Sequence, residues 1–362
     1  MRVVLTGGGT AGHINPALAL AEVLVERGVD VQFAGTPNGR EADLVPAAGI
    51  PFTPFEASGF NRNHPTSIVR AVYLMEKGAV AAGHWFDEIK PDVVVGFGGY
   101  VSLAIGRAAE KRGIPVVIHE QNSVMGLANK NLAKRASAVC LTYEHAASAL
   151  SDRSNVIVTG NPVRRAVFEA TREQGRATFE VPDDAIMLLV TGGSLGARHL
   201  NQAVCAMKED LLSIDDLYIV HVTGPKELET VQKALALTAD EGGRWKVFGY
   251  TDQMGQAMAA ADAVVSRAGA SSLAEISARA LPALLVPFPY ATEDHQTTNA
   301  RASVEAGCAF MVPDADVEGE DFKAQLLRLV QDPDLRASMR EAARAQKTAD
   351  AAAALADIVM SR

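Results

Sequence analysis

Residues 3–24 read VVLTGGGTAGHINPALALAEVL, and residues 187–204 read MLLVTGGSLGARHLNQAV. In each stretch a short apolar strand runs into a Thr-Gly-Gly turn and then into a helix of apolar periodicity. A strand, a Gly-rich turn and a helix N-terminus gather unpaired backbone N–H groups and the positive end of the helix dipole at one spot, which makes an anion site. Two copies in one chain predict two similar domains facing a shared cleft, and chemistry on phosphorylated ligands.

Outward from these turns, short β-branched runs alternate with helical patterns. Strands are expected at Val3–Thr6, Val31–Gly35, Val93–Gly96, Pro115–His119, Ala138–Leu141 and Asn155–Thr159. The second half repeats the plan at Ile186–Thr191, Leu217–Val222, Trp245–Phe248, Ala263–Ser266, Ala283–Pro287 and Ala309–Val312. Such alternation predicts an α/β fold of two doubly wound, Rossmann-like parallel-sheet domains. A length of 362 residues, 48% of them hydrophobic, suits two cores. Gly160-Asn161-Pro162 breaks both patterns after the sixth strand, so the domains are expected at 1–161 and 162–340. Residues 341–362 carry Ala, Arg and Leu at helical spacing, and a helix there is expected to cross back onto the first domain.

The net charge is −9, yet residues 1–161 hold 14 basic and 14 acidic side chains, so the whole acidic excess lies in the second half. With no basic excess the chain lacks the footprint of a nucleic-acid binder. Cys140, Cys205 and Cys308 are few and far apart, which indicates neither a disulfide framework nor a thiolate zinc site. The chain enters its first strand at Arg2 without a signal-peptide pattern, and no apolar run approaches the roughly 18 residues of a membrane span. A cytoplasmic protein, attached to a membrane only peripherally, is expected.

Gly7-Gly8-Gly9-Thr10-Ala11-Gly12 matches GxGxxG, but the second strand ends Phe33-Ala34-Gly35-Thr36, without the acid that would hold a dinucleotide ribose. A phosphate or diphosphate site is the better reading. His13 follows at the start of a helix opened by Asn15-Pro16; it either caps the turn or, as a neutral imidazole beside an anion site, accepts a proton from a ligand hydroxyl. His119-Glu120-Gln121-Asn122 leaves the end of an apolar strand, where ligands of open α/β sheets bind, although an exposed polar loop would look the same. Gly98-Gly99-Tyr100 is a third Gly turn on that edge.

In the second half, Ser194 lies in the turn Thr191–Gly196, where its hydroxyl can face a phosphate. Arg267-Ala-Gly-Ala-Ser-Ser-Leu-Ala-Glu275 is another Gly turn opening a helix; Glu275 either accepts ribose hydroxyls or is a favourable charge in the first turn. Asp294-His295-Gln296-Thr297-Thr298-Asn299 offers groups suited to sugar hydroxyls, or an ordinary helix start. Residues 58–86 set Phe60, Ile68, Val69, Val72, Tyr73, Leu74, Trp85 and Phe86 among Arg62, His64, Arg70 and Lys77. This segment either lies on an anionic bilayer surface or faces the core.

Taken in order, these motifs resemble the MurG glycosyltransferase family over nearly the whole chain. The resemblance rests on TGGGTAGHINPALA at 6–19, EADLVPAAGI at 41–50, PDVVVGFGGYVS at 91–102, IPVVIHEQN at 114–122 and GNPVR at 160–164. It continues in TGGSLGAR at 191–198, SRAGASSLAEI at 266–276, LPALLVPFP at 281–289 and DHQTTNA at 294–300. It implies a GT-B fold in which UDP-GlcNAc binds mainly the C-terminal domain and GlcNAc passes to lipid I, an undecaprenyl-linked acceptor, in peptidoglycan synthesis. It also implies a peripheral enzyme on the cytoplasmic face of the bacterial inner membrane, working without a cofactor.

By the same resemblance, Arg164 and Ser194 contact the donor, Thr251 the uracil, and Ala270, Ser271, Ser272, Leu273, Ala274 and Glu275 the diphosphate and ribose. Gln296 holds the GlcNAc hydroxyls. Thr10, Ala11, Gly12 and Asn122 approach the transferred sugar; His13, Tyr100, His119, Glu120 and Gln121 line the acceptor side, and Gly8 and Gly9 receive the lipid diphosphate. Ala11 departs from the second Gly of some members by one methyl. The reaction expected is an inverting displacement, with His13 as base, Glu120 as the second candidate, and no metal site, since no DxD-type pair stands at a strand end. A UDP-GlcNAc 2-epimerase, a dinucleotide oxidoreductase and a non-catalytic nucleotide-sugar sensor are the competing readings.

Overall fold

A computed structural model describes residues 1–59, 66–193, 196–345 and 350–362. The chain divides into two compact units, Met1–Arg164 with Thr348–Arg362, and Arg165–Lys347. The first unit holds the strands β1 (Arg2–Thr6), β2 (Asp30–Gly35), β3 (Phe52–Pro54), β4 (Val93–Gly96), β5 (Val116–Glu120), β6 (Ala138–Leu141) and β7 (Val156–Val158). They form one sheet in the order β3-β2-β1-β4-β5-β6-β7, with every pair parallel. The second holds β8 (Ile186–Thr191), β9 (Leu217–Val222), β10 (Trp245–Phe248), β11 (Ala263–Ser266), β12 (Ala283–Leu285) and β13 (Ala309–Met311). Their order, β10-β9-β8-β11-β12-β13, is again all parallel.

The strands read as unbroken apolar runs because helices cover both faces of each sheet. In β1, Val3 and Leu5 point into a core with Ile14, Leu18 and Leu24, while Val4 points the other way, toward Ala82, Phe86 and Ile105. In β8, Leu188 and Val190 pack with Leu200 and Phe322; Met187 and Leu189 pack with Ala257 and Leu273. Alternate side chains thus serve two cores per unit.

The edge strand β3 is absent from the sequence reading, because three residues between Pro51 and a terminal Pro54 give no alternating pattern. The first helix also departs from expectation. It opens at Ala11, ahead of the Asn15-Pro16 signal, and Pro16 lies inside it. Burial of Ile14, Pro16, Ala17 and Leu18 against β1 outweighs the local cost of the missing N–H. At the other end of the chain, the helix Ala351–Met360 inserts Leu355, Ala356 and Val359 into the core beside Ile14 and Leu18, with Asp357 paired to Arg27 at 2.6 Å.

Strand order reverses between β1 and β4 in the first unit and between β8 and β11 in the second. In open α/β sheets the crevice outside the strand ends at such a reversal is where ligands bind. Both Thr-Gly-Gly turns leave the first strand of a reversal. Because Leu355 is fully buried, Leu355→Ala is expected to destabilise the first unit by about 2–5 kcal/mol, read as an earlier denaturation transition for that unit.

Candidate active site

In the first unit, the turn after β1 meets the turn after β4. Gly98 and Gly99 have φ of 102° and 84°, and a Cβ on Gly99 would lie 2.7 Å from the Gly8 carbonyl oxygen, so only glycine lets the two backbones approach. Ser102 holds this junction: its hydroxyl lies 2.8 Å from the Thr6 carbonyl and 2.7 Å from that of Gly98. Tyr100 stands beside it, 42% exposed. Gly9 and Thr10 are exposed, and Ala11 and Gly12 half-buried, at the mouth of the first helix.

His13, half-buried in the first turn of that helix, has its Nδ1 2.9 Å from the Gly8 carbonyl. A carbonyl oxygen only accepts, so Nδ1 carries the proton and Nε2 is the basic nitrogen. Nε2 lies against Gly98, 3.2 Å from where a Cβ would be.

The 119–122 stretch is not an exposed loop. His119 and Glu120 belong to β5 and are buried. His119 donates from Nε2 to the Gly160 carbonyl at 2.9 Å and accepts the Gln121 amide N–H at Nδ1, 3.1 Å. Burial pushes its pKa down to about 4. It is a neutral strut between β5 and the segment after β7.

Glu120 accepts from the backbone N–H and side-chain amide of Asn122 at one oxygen, and from Gly126 N–H and Asn129 Nδ2 at the other. At 2% exposure its carboxyl is saturated by its own loop, which leaves His13 as the accessible base of the two. Glu120 thereby holds Asn122 in place.

In the second unit, β11 ends at Ser266, and Arg267, Ala268 and Gly269 lead straight into the helix Ala270–Ala278. Arg267 is buried, bridges to the carbonyls of Val286 and Pro287 at 3.2 Å, and pairs with Asp314. Gln296, on the helix His295–Glu305, accepts the N–H of Ala268 at 3.2 Å and of Phe288 at 3.0 Å through Oε1. Its Nε2 and the Ser272 hydroxyl stand at equal distance, 4.0 Å, from the Cβ position of Gly269. Gln296 therefore ties the ends of β11 and β12 together and keeps its amide donor beside the helix start. Ser271, Ser272, Ala274 and Glu275 are half-buried there; Ala270 and Leu273 turn into the core.

Thr251, two residues before Gln253, accepts its N–H at 3.1 Å. Arg164 pairs with Glu22 of the first helix of its own unit. Ser194 lies outside the described residues.

Residues 3–141 match the N-terminal domain of glycosyltransferase family 28, and residues 187–355 match its C-terminal domain. Over 99% of its length the chain is 38% identical to the UDP-N-acetylglucosamine--N-acetylmuramyl-(pentapeptide) pyrophosphoryl-undecaprenol N-acetylglucosamine transferase of Desulforudis audaxviator, covering 98% of that protein. The enzyme of the same name from Salinibacter ruber is 39% identical over 99% of this chain and 96% of its own. The crystal structure of Acinetobacter baumannii MurG superposes with a TM-score of 0.76 at 29% identity, covering 100% of this chain and 99% of that one. The chain belongs to the MurG family. Its α/β architecture of two parallel sheets is the GT-B-like fold of that family.

One residue of this MurG-family site has no role in the sequence reading. Glu41, within the EADLVPAAGI motif, is fully buried and accepts the N–H of Gly9 at 3.3 Å. The absent acid at the end of β2 is thus supplied a few residues later, and it turns back onto the Gly-rich turn. Three glycines at 8, 35 and 39 are its signal in the sequence.

The two buried histidines make this fold sensitive to acid. His221, hydrogen-bonded through Nε2 to Asn201 Oδ1 at 3.0 Å, is pushed by burial down to about 3. Both histidines bind protons more readily when unfolded, at a pKa near 6.5, so their stabilising effect is complete above about 6.5 and is lost as the pH falls toward 4 and 3. For His119 the loss is on the order of 3 kcal/mol across that window. Chemical denaturation between pH 7 and 4.5 is expected to show it, with a shallower slope in His119→Gln.

Proposed function

We propose that this chain transfers N-acetylglucosamine from UDP-GlcNAc to the 4-hydroxyl of the N-acetylmuramyl sugar of an undecaprenyl-diphosphate-linked acceptor, lipid I, with inversion at the anomeric carbon. The observation that carries this reading is 38% identity over 99% of the chain to an enzyme named for that transfer.

In this reading the acceptor O4 attacks C1 of GlcNAc, the C1–O bond to UDP breaks, and the proton passes to His13 Nε2. The departing diphosphate is met by the opening turn of the helix Ala270–Ala278, whose backbone N–H groups and dipole favour negative charge. Ser271 and Ser272 add hydroxyls, Glu275 accepts from the ribose, and Gln296 Nε2 donates to a GlcNAc hydroxyl. Arg164, Ser194 and Thr251 complete the donor contacts, while Thr10, Ala11, Gly12 and Asn122 face the transferred sugar. On the acceptor side Tyr100 and the 7–12 turn flank the base, and His119 and Gln121 stand at the end of β5 in the same sheet.

The acceptor is membrane-borne, and one surface fits that need. The helix Thr66–Ile89 buries Ala71, Ala79, Ala82 and Phe86 yet exposes Ile68, Val69, Val72 and Tyr73, with Val69 75% exposed. Trp85 does not share that face, since it packs on Phe55 at 5.3 Å between ring centres. Phe60, Arg62 and His64 lie outside the described residues. Among the described residues no helix is long and apolar enough to cross a membrane, and we read the exposed face as a peripheral contact with the cytoplasmic leaflet of the inner membrane, apolar residues entering the interface beside Arg70.

UDP release is expected from UDP-GlcNAc only when a lipid I analogue is added; acceptor-independent conversion of UDP-GlcNAc to its C2 epimer would favour a 2-epimerase. His13→Ala is expected to lower kcat by roughly 10²–10⁴ with little change in the UDP-GlcNAc KM. Glu275→Ala is expected to raise that KM, and an unchanged donor affinity would remove Glu275 from the ribose. Val69→Glu with Tyr73→Ser is expected to weaken co-sedimentation with anionic vesicles.

A further inference from the structure

A buried side-chain carboxyl group accepts a backbone N–H of the first Gly-rich turn. Glu41 opens the helix Glu41–Ala47 and is fully buried. One oxygen accepts the Gly9 N–H at 3.3 Å; the other accepts the N–H and the hydroxyl of Thr36 at 3.0 and 2.6 Å. Three glycines on two segments, the turn after β1 and the end of β2 with the connection that follows it, make the room. A Cβ on Gly8, Gly35 or Gly39 would lie 2.4, 2.6 or 2.3 Å from an atom of the Glu41 side chain.

The Gly8–Gly9 backbone is therefore gripped from two sides, by Glu41 on one and by the Gly98–Gly99 turn on the other. The Gly8 carbonyl between them accepts the Nδ1–H of His13. Any shift of this peptide unit would turn the imidazole, because Nδ1 follows its acceptor and Nε2 rests on Gly98.

We propose that Glu41 is a positioning residue for the transfer reaction. The chain supplies its own carboxyl group to the first turn, which fixes the Gly8 carbonyl and presents His13 with Nδ1 protonated and Nε2 as the proton acceptor. This rests on the reading of His13 as the base. Glu41 acts on the geometry of proton removal and leaves the nucleotide, which binds the other unit, untouched.

The test uses the full-length protein with UDP-GlcNAc and a lipid I analogue. Glu41→Gln keeps the shape but turns an amide N–H₂ toward a donor; it is expected to lower kcat about tenfold or more, with the UDP-GlcNAc KM within about twofold of normal. In a His13→Ala background the same substitution is expected to cost nothing further, since a positioning residue acts only through the group it positions. Nitrogen NMR of His13 is expected to report the Nδ1–H tautomer in the natural protein and a mixture in Glu41→Gln. Thr36→Val, which removes one donor to the same carboxyl, is expected to move kcat in the same direction by less, and serves if Glu41→Gln folds poorly. An equal loss of kcat in both backgrounds, or an unchanged kcat and tautomer in Glu41→Gln, overturns the proposal. Near-normal turnover by His13→Ala alone overturns the base assignment instead.

Discussion

In a parallel sheet every strand delivers its last residues to the same edge, and this constraint organises both units. Chemistry-bearing side chains accumulate there because the strands themselves, buried on both faces, are filled mainly by apolar ones. Thr6, Gly96 and Glu120 end strands of one sheet, and Thr191 and Ser266 end strands of the other. Helix openings then face the same way, so the first helix and the helix Ala270–Ala278 bring their N-terminal ends to the reversal in strand order.

The two Thr-Gly-Gly turns begin as equals in sequence and end unequal in structure. In the first unit the Gly9 N–H is committed to a carboxyl group of the same chain, and the Gly8 carbonyl to an imidazole. That turn is arranged around fixed internal partners. In the second unit Gly193 donates back to the Thr191 hydroxyl, and the polar groups gather one strand over, at Gly269, Ser272 and Gln296. A duplicated backbone motif has been put to two uses by what surrounds it.

The fold was readable because apolar runs, Gly turns and helix periodicity are local signals; among the described residues twelve of the thirteen strands carry them, and β3 does not. The site was readable in part. His13, Gln296 and the 270–275 helix opening stand where strand ends and Gly turns place them. His119 and Glu120 illustrate what composition hides: a polar run at a strand end reads as a site or as a loop, yet both side chains here are buried and spent on Gly160, Asn122, Gly126 and Asn129. Glu41 was hidden for the opposite reason. It opens a short helix, where an acid is unremarked, and its partners Gly9 and Thr36 are fixed only when β1 and β2 lie side by side.

The helix Ala351–Met360 gives the first unit a discontinuous sequence, since its core receives Leu355, Ala356 and Val359 from the far end of the chain. Domains generally fold as units, N-terminal first, while the chain is still being made. Here the second unit has all its residues before the first does. The unit that emerges first thus waits with the Ile14–Leu18 face of its opening helix uncovered, and synthesis to the last helix, rather than to a domain boundary, marks the point at which it can close.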